Sequence, residues 1–208
     1  MERQQVFQCS EKDAVARCAE LVTNGGVVVF PTDTIYGVGC SPYNDCAVTR
    51  IFTIKGRDKK KPLPVLTSSV QNAERIVSLG TTGRVLAERY WPGALTMVAP
   101  LIDHRISPKL TAGGSSLAVR VPDNKCVLLL LRHCRYLVGT SANLSGRTGS
   151  RSAQEVLDSG LEGYDAILDG GAVEKGVEST IVDVVGKPKI VREGAIKSTE
   201  VTQLLGQI

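Results

Sequence analysis

The chain has 208 residues, of which 42% are hydrophobic, 22% charged and 4% aromatic. This composition is typical of a folded globular protein and excludes a disordered chain, a collagen or a coiled coil. The net charge of +4 suits an anionic small molecule or a transient RNA contact, and it is too small for a histone-like DNA binder. The length is that of one domain or of two small lobes, and because the chain shows no internal repeat and no obvious linker, we predict a single domain over residues 1–208.

The apolar residues alternate between helix and strand spacing, which predicts a mixed α/β fold. In the first half of the chain we predict a capping box at 10–13, a helix that Gly25-Gly26 ends, strands at 27–30 and 35–40, a helix over 47–52 that ends at Gly56, and helices at 70–77 and 84–90. In the second half we predict strands at 95–99, 117–121, 136–139, 166–168, 180–185 and 189–191, and helices at 127–134, around 156–157 and at 198–205. Because some neighbouring strands lack an intervening helix, the predicted sheet is mixed parallel and antiparallel.

The cysteines and histidines follow no metal or disulfide pattern. No two cysteines form a Cys-x-x-Cys pair, and the two histidines lack zinc spacing. No secretory pattern is recognised, and the longest leucine-rich apolar run, residues 127–131, is far too short to span a bilayer. We therefore expect free thiols, a cytoplasmic location and no membrane partner. The six cysteines are Cys9, Cys18, Cys40, Cys46, Cys126 and Cys134.

The densest charged segment is KGRDKKKP, residues 55–62, in which five cations fall within seven residues. Lysine is a mobile point charge and arginine a rigid fork, so together they can clamp a polyphosphate. A glycine between the first two cations lets the backbone approach a ligand, and an apolar stretch follows at once. A solvated charge run on the surface is the alternative interpretation.

Three further segments place polar side chains beside buried strands. They are PTDTIYGVG at 31–39, TSANLSG at 140–146, and GVESTIVD at 176–183 followed by REG at 192–194. Strand ends are where α/β sheets bind ligands, and small hydroxyls and amides can orient phosphate or ribose oxygens. Ordinary turns remain the alternative for the first two segments, and a β-hairpin with an exposed edge remains the alternative for the third. No P-loop, dinucleotide fingerprint or nucleophile elbow is present, which disfavours P-loop hydrolysis, hydride transfer and triad hydrolysis.

Taken together and in this order, the segments PTDTIYGVG, KGR, SLAVRVP, SANLSG, GVESTIVD and VREG resemble the YrdC/Sua5 family of threonylcarbamoyl-AMP synthases. The resemblance covers about residues 10–200 and is closest to the single-domain form. It implies a twisted mixed sheet, flanked by helices around a basic central cavity. The family pattern pairs K-x-R with S-x-N, which here are Lys55 with Arg57 and Ser141 with Asn143.

The resemblance also implies an activity. L-threonine, bicarbonate (or CO2) and ATP, with Mg²⁺, would give threonylcarbamoyl-AMP and pyrophosphate. A separate TsaD-type transferase would then modify adenosine 37 of tRNAs that read ANN codons, and weak tRNA binding by this chain is an open point. The alternative is a module that binds double-stranded RNA or tRNA without chemistry.

Site residues follow from the resemblance position by position. Lys55 and Arg57 would be catalytic, and no side chain is identified as a metal ligand. The threonine-binding residues would be Thr34, Arg120, Ser141 and Ser179, and the ATP-binding residues Arg57, Lys61, Ser116, Asn143, Arg151 and Arg192. The chain departs from the family pattern at Asp58, where many relatives have proline, at Leu66, where some have histidine, and at Ser150-Arg151, where Pro-Thr is frequent.

Overall fold

The computed structural model describes residues 5–207. Their strands are β1 (Gln5–Gln8), β2 (Val28–Phe30), β3 (Gly37–Gly39), β4 (Val65–Thr67), β5 (Leu95–Pro100), β6 (Ser116–Arg120), β7 (Tyr136–Val138), β8 (Thr140–Ser141), β9 (Ala166–Asp169), β10 (Thr180–Asp183) and β11 (Lys189–Arg192). The helices are α1 (Ala14–Thr23), α2 (Asp45–Lys55), α3 (Val70–Ala73), α4 (Gly80–Tyr90), α5 (Lys125–Cys134), α6 (Ala153–Asp158) and α7 (Ser198–Leu205), with a 3-10 helix at Pro108–Thr111.

The strands divide between two sheets, where the sequence predicted one. The first has the order β1-β9-β2-β3-β8 and the second the order β11-β10-β5-β6-β4-β7. Both contain parallel and antiparallel pairs, such as β1 with β9 and β2 with β3 in the first sheet. The predicted mixed α/β class is therefore confirmed, and the site is built where the two sheets meet.

Gly139 is the single residue between β7 and β8, at which the chain passes from one sheet to the other. A Cβ at this position would lie 2.5 Å from Leu66 Cγ, so a larger residue here would have to displace the Leu66 side chain. The sheets also approach each other at Gly39, where a Cβ would lie 1.7 Å from the carbonyl oxygen of Val138. The Val138 N–H donates to the Cys40 carbonyl at 2.8 Å. These glycines allow the two backbones to come into contact.

Helices α1 and α5 pack together on the first sheet. Their buried residues, including Cys18, Val22, Val127 and Leu130, form one apolar cluster with strand residues such as Leu168. A larger cluster fills the rest of the core. Helix α5 belongs to the first cluster because its apolar residues recur every three to four positions, which places them on one buried face.

Several sequence predictions differ from the structure at element ends. The predicted capping box at 10–13 is wrong, because Asp13 has a left-handed backbone with φ of 72° and its side chain caps nothing. The predicted helix at 70–77 ends at Ala73. Strands β1, β4 and β8 and the 3-10 helix were not predicted. The predicted end of α2 at Gly56 is confirmed by its left-handed φ of 56°.

The expectation of six free thiols is also wrong, because Cys9 and Cys126 form a disulfide across 117 residues. The pairing of β1 with β9 brings them together: the Cys9 N–H donates to the Asp169 carbonyl at 2.7 Å, and Gly170 lies against Cys126. Cysteine spacing cannot reveal a contact that sheet pairing creates. The other four cysteines are free. Over residues 5–207, no helix is long and apolar enough to cross a membrane.

Candidate functional site

A cavity of about 220 Å³ lies between the two sheets. The second sheet supplies one wall through alternate residues of two antiparallel strands, Thr96 and Val98 on β5 with Ala118 and Arg120 on β6. Side chains alternate between the two faces of a strand, so the intervening residues point into the core. The other walls come from the β2–β3 connection, β8, and the segments beside β4, β10 and β11.

Arg120 is the most deeply buried cation of the cavity, with its side chain 7% exposed. Its Nε donates to the Gly93 carbonyl at 2.8 Å, its Nη1 to Thr34 Oγ1 at 3.1 Å, and its Nη2 to Asp33 Oδ1 at 2.5 Å. Burial lowers the pKa of Arg120, and the Asp33 carboxylate opposes that shift. Each terminal nitrogen carries two protons, so one proton on each remains for a ligand.

Buried hydroxyl groups surround this guanidinium. Thr34 Oγ1 lies 2.8 Å from Thr32 Oγ1, and Thr96 Oγ1 lies 2.8 Å from Ser179 Oγ. Thr34 and Ser179 both line the cavity, and so does Ser141. A guanidinium fork among hydroxyls is suited to a small ligand that carries a carboxylate.

Arg57 and Arg192 form a second, more exposed cationic group on the same cavity. Arg57 donates to the carbonyls of Lys61 and Pro62, at 3.2 and 3.0 Å. Burial lowers the pKa of Arg57, and the charge of Arg192 lowers it further, while Glu178 opposes both.

Arg192 is held by an ion pair with Glu178 and by a bond of 2.9 Å from its Nη2 to the Ser179 carbonyl. Its Nε is buried, and no residue among 5–207 accepts its proton. An unpaired guanidinium N–H beside a cavity is free to donate to a ligand oxygen.

Lys55 does not line the cavity. Its side chain is buried, and Nζ donates to the carbonyls of Ser141 and Asn143, the latter at 2.7 Å. Burial lowers the pKa of Lys55 to about 8. The Asn143 amide nitrogen donates in turn to the Arg147 carbonyl at 2.6 Å. In this arrangement Lys55 and Asn143 hold the 141–147 loop against the site.

The remaining predicted residues lie outside the cavity lining. Lys61 is exposed, and Arg151 donates to the carbonyls of Val173 and Glu174 at 3.3 and 3.2 Å. Ser116 shares a face of β6 with Arg120 but lies at the opposite end of the strand. The structure thus brings together six of the eleven predicted site residues: Thr34, Arg57, Arg120, Ser141, Ser179 and Arg192.

Sequence reasoning missed three residues of this site. Asp33 lies in the PTDT segment, where its position after a buried strand was the signal, but its bond to Arg120 could not be read from the chain. Thr96 is a lone hydroxyl in the apolar strand β5. Glu178 is the only carboxylate among the cavity-lining residues, and no group of three or more metal-ligating side chains was found among residues 5–207.

The fold and the site define an α/β protein with a ligand cavity between two mixed sheets, lined by three arginines and several hydroxyls. The chain belongs to the Sua5/YciO/YrdC family, whose model, described as telomere recombination, matches residues 20–194.

Relatives of established name and structure agree with this assignment. A threonylcarbamoyl-AMP synthase of Bacillus subtilis is 35% identical over 200 residues, which is 93% of this chain and 57% of that protein. The crystal structure of Pyrococcus abyssi Sua5 complexed with L-threonine superposes with a TM-score of 0.90 at 31% identity, over 98% of this chain and 61% of that one. Escherichia coli YciO shares the fold, with a TM-score of 0.81 at 23% identity, over 93% of this chain and 96% of that one. The chain thus spans a little over half the length of the curated synthase from Bacillus.

Proposed function

We propose that the protein is an ATP-dependent threonylcarbamoyl-AMP synthase. The observation that carries this proposal is that six residues from six separate segments, each expected to bind threonine or ATP, line one cavity. The relatives support it, since one is named for this activity and another has been crystallised with L-threonine. The three arginines of the lining outnumber the two carboxylates of the site, Asp33 and Glu178, which favours the expected basic character of the cavity.

Threonine would occupy the buried part of the cavity. A volume of about 220 Å³ lies below the roughly 300–1,000 Å³ of sites for drug-sized ligands, so it fits an amino acid better than a whole nucleotide. The threonine carboxylate would accept hydrogen bonds from the spare protons on Nη1 and Nη2 of Arg120. The hydroxyls of Thr34, Ser141 and Ser179 would then receive the amine and the hydroxyl of the substrate.

ATP would lie across the more exposed part of the cavity, with its phosphates on Arg57 and Arg192. The unpaired Nε of Arg192 supports this placement. Lys61, whose carbonyl orients Arg57, would extend the cationic surface. Ser116, Asn143 and Arg151 lie outside the lining of this cavity, which is too small for a whole nucleotide, so their contacts with ATP stay predictions.

The chemistry then needs positioning and charge neutralisation. The threonine amine and bicarbonate lose water to form a carbamate, and a carbamate oxygen attacks the α-phosphorus while the bond to pyrophosphate breaks. Both reactants are anionic, so Arg57 and Arg192 would offset their repulsion and the charge on the leaving group. No covalent enzyme intermediate is required, which agrees with a site that offers arginines and hydroxyls.

Mg²⁺ would enter with ATP, and when bound it neutralises phosphate charge. Mg²⁺ in nucleotide sites is commonly held by one or two carboxylates together with phosphate oxygens. Glu178 is half-exposed and paired with Arg192, and as the one carboxylate of the cavity lining it would be the residue to contact the ion. The product would pass to a TsaD-type transferase that modifies tRNA, and direct tRNA contact by this chain belongs to the same proposal.

The test is pyrophosphate release from ATP and Mg²⁺, with threonine and bicarbonate each present or omitted. Release should require both, and Arg57→Ala should lower it by roughly 10²–10³-fold, as for removal of one oxyanion donor. Lys60→Ala, which removes an exposed cation from the same segment outside the cavity, is the matched control and should retain activity.

Absence of release under every combination would contradict the proposal. The RNA-binding alternative predicts a different result: retention of tRNA that weakens steeply with salt and ignores threonine. Equal loss in Arg57→Ala and Lys60→Ala would contradict the placement of the phosphates, since only Arg57 lines the cavity.

A further inference from the structure

A second concave surface lies apart from the central cavity and shares none of its lining residues. This groove has a volume of about 860 Å³, within the roughly 300–1,000 Å³ range of small-molecule sites. It is lined by two tyrosines, three arginines and three further residues, which are Asp103, His133 and Cys134.

The two tyrosines are Tyr43 and Tyr136, whose rings meet edge to face with centroids 6.1 Å apart. Each hydroxyl is anchored, since Tyr43 donates to Asp103 Oδ2 and Tyr136 to the Asn72 carbonyl, both at 3.0 Å. Tyr43 is nevertheless 41% exposed. The groove therefore presents an aromatic surface whose orientation is held before any ligand arrives.

Asp103 also fixes one of the arginines. Arg105 donates to both oxygens of Asp103 at 2.8 Å, and its guanidinium lies 5.7 Å from the centroid of the Tyr43 ring. A planar guanidinium and an aromatic ring are both surfaces on which nucleic acid bases stack. Asp103 thus organises these two stacking surfaces and neutralises one cation.

The other two arginines, Arg75 and Arg135, are exposed and have no ion pair or side-chain hydrogen bond within the described part of the chain. Burial raises the pKa of Tyr136, while the charges of Arg135 and Arg75 both oppose that shift, so both guanidinium groups act on the same ring. They come from separate segments, one after α3 and one after α5. The preference of cations for a helix C-terminus accounts for Arg135 at the end of α5, but not for Arg75 or Arg105.

Arg135 is held in a backbone conformation that arginine rarely adopts, with φ of 64° and ψ of −46°. Backbone strain of this kind costs on the order of 1–3 kcal/mol and is concentrated at functional positions. A glycine here would relieve it. The chain carries an arginine rather than a glycine at this strained position, and Arg135 lines a groove with two other arginines.

From the convergence of Arg75, Arg105 and Arg135 on an anchored tyrosine pair, we infer that this groove binds a nucleotide unit, with its phosphate on Arg75 and Arg135 and its base against Tyr43 or Arg105. Arginine forks match phosphate oxygens, and an aromatic ring accepts any base. The unit would come from single-stranded RNA or from a free nucleotide. This inference does not depend on the proposed synthase activity.

The experiment is fluorescence anisotropy with the full chain. One arm uses a labelled single-stranded RNA of about 10 nucleotides, at salt between about 50 and 200 mM, and the other a labelled AMP. Arg75→Ala and Arg135→Gly should each weaken binding about tenfold or more, because each removes a charge-assisted contact. Arg135→Gly also relieves the backbone, so loss of binding would not reflect unfolding. Arg132→Ala removes an exposed cation from the same helix end outside the groove and is the matched control.

Binding of the RNA but not of AMP would identify RNA as the source of the nucleotide unit. Binding of both probes would show that the groove recognises a single nucleotide, whether free or within RNA. If neither the RNA nor AMP bound, the inference would be overturned. It would also be overturned if Arg132→Ala weakened binding as much as Arg135→Gly, or if Arg57→Ala abolished binding while the groove variants did not. Pyrophosphate release should be retained in all groove variants, so that failure here and failure of the synthase proposal are distinguishable.

Discussion

The Asp33 carboxylate accepts a hydrogen bond of 2.5 Å from Arg120 Nη2, and both side chains are only 7% exposed. The same carboxylate accepts from the Asp123 N–H at 3.0 Å and from Lys175 Nζ at 3.5 Å. One buried anion thus connects the β2–β3 connection, the β6 arginine and two loops. Asp33 thus fixes the position of Arg120, the most deeply buried cation of the cavity.

Removal of this anion should destabilise the fold. We expect Asp33→Asn to lower the free energy of unfolding by about 3–5 kcal/mol, because it leaves Arg120 as a buried charge without its partner. Urea denaturation measures the loss. Asp183→Asn is the control, since Asp183 pairs at 3.5 Å with Lys189, whose side chain is 71% exposed, and exposed pairs contribute roughly 0–1 kcal/mol. Equal effects of the two variants would contradict the role of Asp33.

Gly39 offers a test of the contact between the two sheets. A Cβ there would lie 1.7 Å from the Val138 carbonyl oxygen, whereas one at Gly186 would meet nothing within 4 Å. Gly39→Ala should therefore destabilise the protein by about 1–3 kcal/mol or more, as expected for overpacking. Gly186→Ala should change stability little. Thermal unfolding of the two variants side by side measures the difference, and a stable Gly39→Ala protein would contradict the close approach.

Thiol counting tests the Cys9–Cys126 disulfide. Protein purified without reductant and unfolded in denaturant should react with a thiol reagent at four cysteines, and at all six after reduction. Reduction should also lower stability by about 2–5 kcal/mol, because the bond closes a long loop. Cys46→Ser, which changes an exposed free cysteine, should leave this stability difference unaltered. Six reactive thiols before reduction would contradict the bond.

The elements that the sequence predicted well are those with a strong local signal. Helix α2 ends at Gly56 because glycine tolerates a left-handed backbone, and β2 is a continuous apolar run. The elements it missed depend on distant partners. Strand β1 is largely exposed and exists because it pairs with β9, whose partner residues lie 161 positions further along the chain. That pairing also creates the disulfide.

The site shows the same division. Binding roles could be assigned to Arg120 and Arg192 by resemblance, because the motifs that contain them are short segments of the sequence. Their geometry could not: Lys55 belongs to the most charged segment of the chain, yet its Nζ is buried against the carbonyls of the 141–143 loop. Whether a cation faces a ligand or holds a loop depends on which segments fold over it.

Lys55 provides a pH-dependent prediction. Burial lowers its pKa from 10.5 in the unfolded chain to about 8 in the folded protein. Between these values the unfolded chain binds more protons than the folded one, so the contribution of Lys55 to stability rises with pH over that window, with a slope of at most about 1.4 kcal/mol per pH unit. Well below the folded-state pKa of about 8 the contribution is constant, because Lys55 is protonated in both states.

The measurement is the free energy of unfolding in urea, for wild type and Lys55→Met, at intervals from neutral pH to above the pKa of the unfolded lysine. The stability of wild type relative to Lys55→Met should increase across this range. Other groups that titrate here, such as Cys134, whose pKa burial raises to about 11, are common to both proteins and cancel in the difference. Lys60→Met is the control for removing a lysine from the same segment. The prediction fails if the stability of wild type relative to Lys55→Met does not rise with pH. It also fails if the stability of wild type relative to Lys60→Met rises by the same amount, because the buried ammonium of Lys55 would then not be the group that titrates.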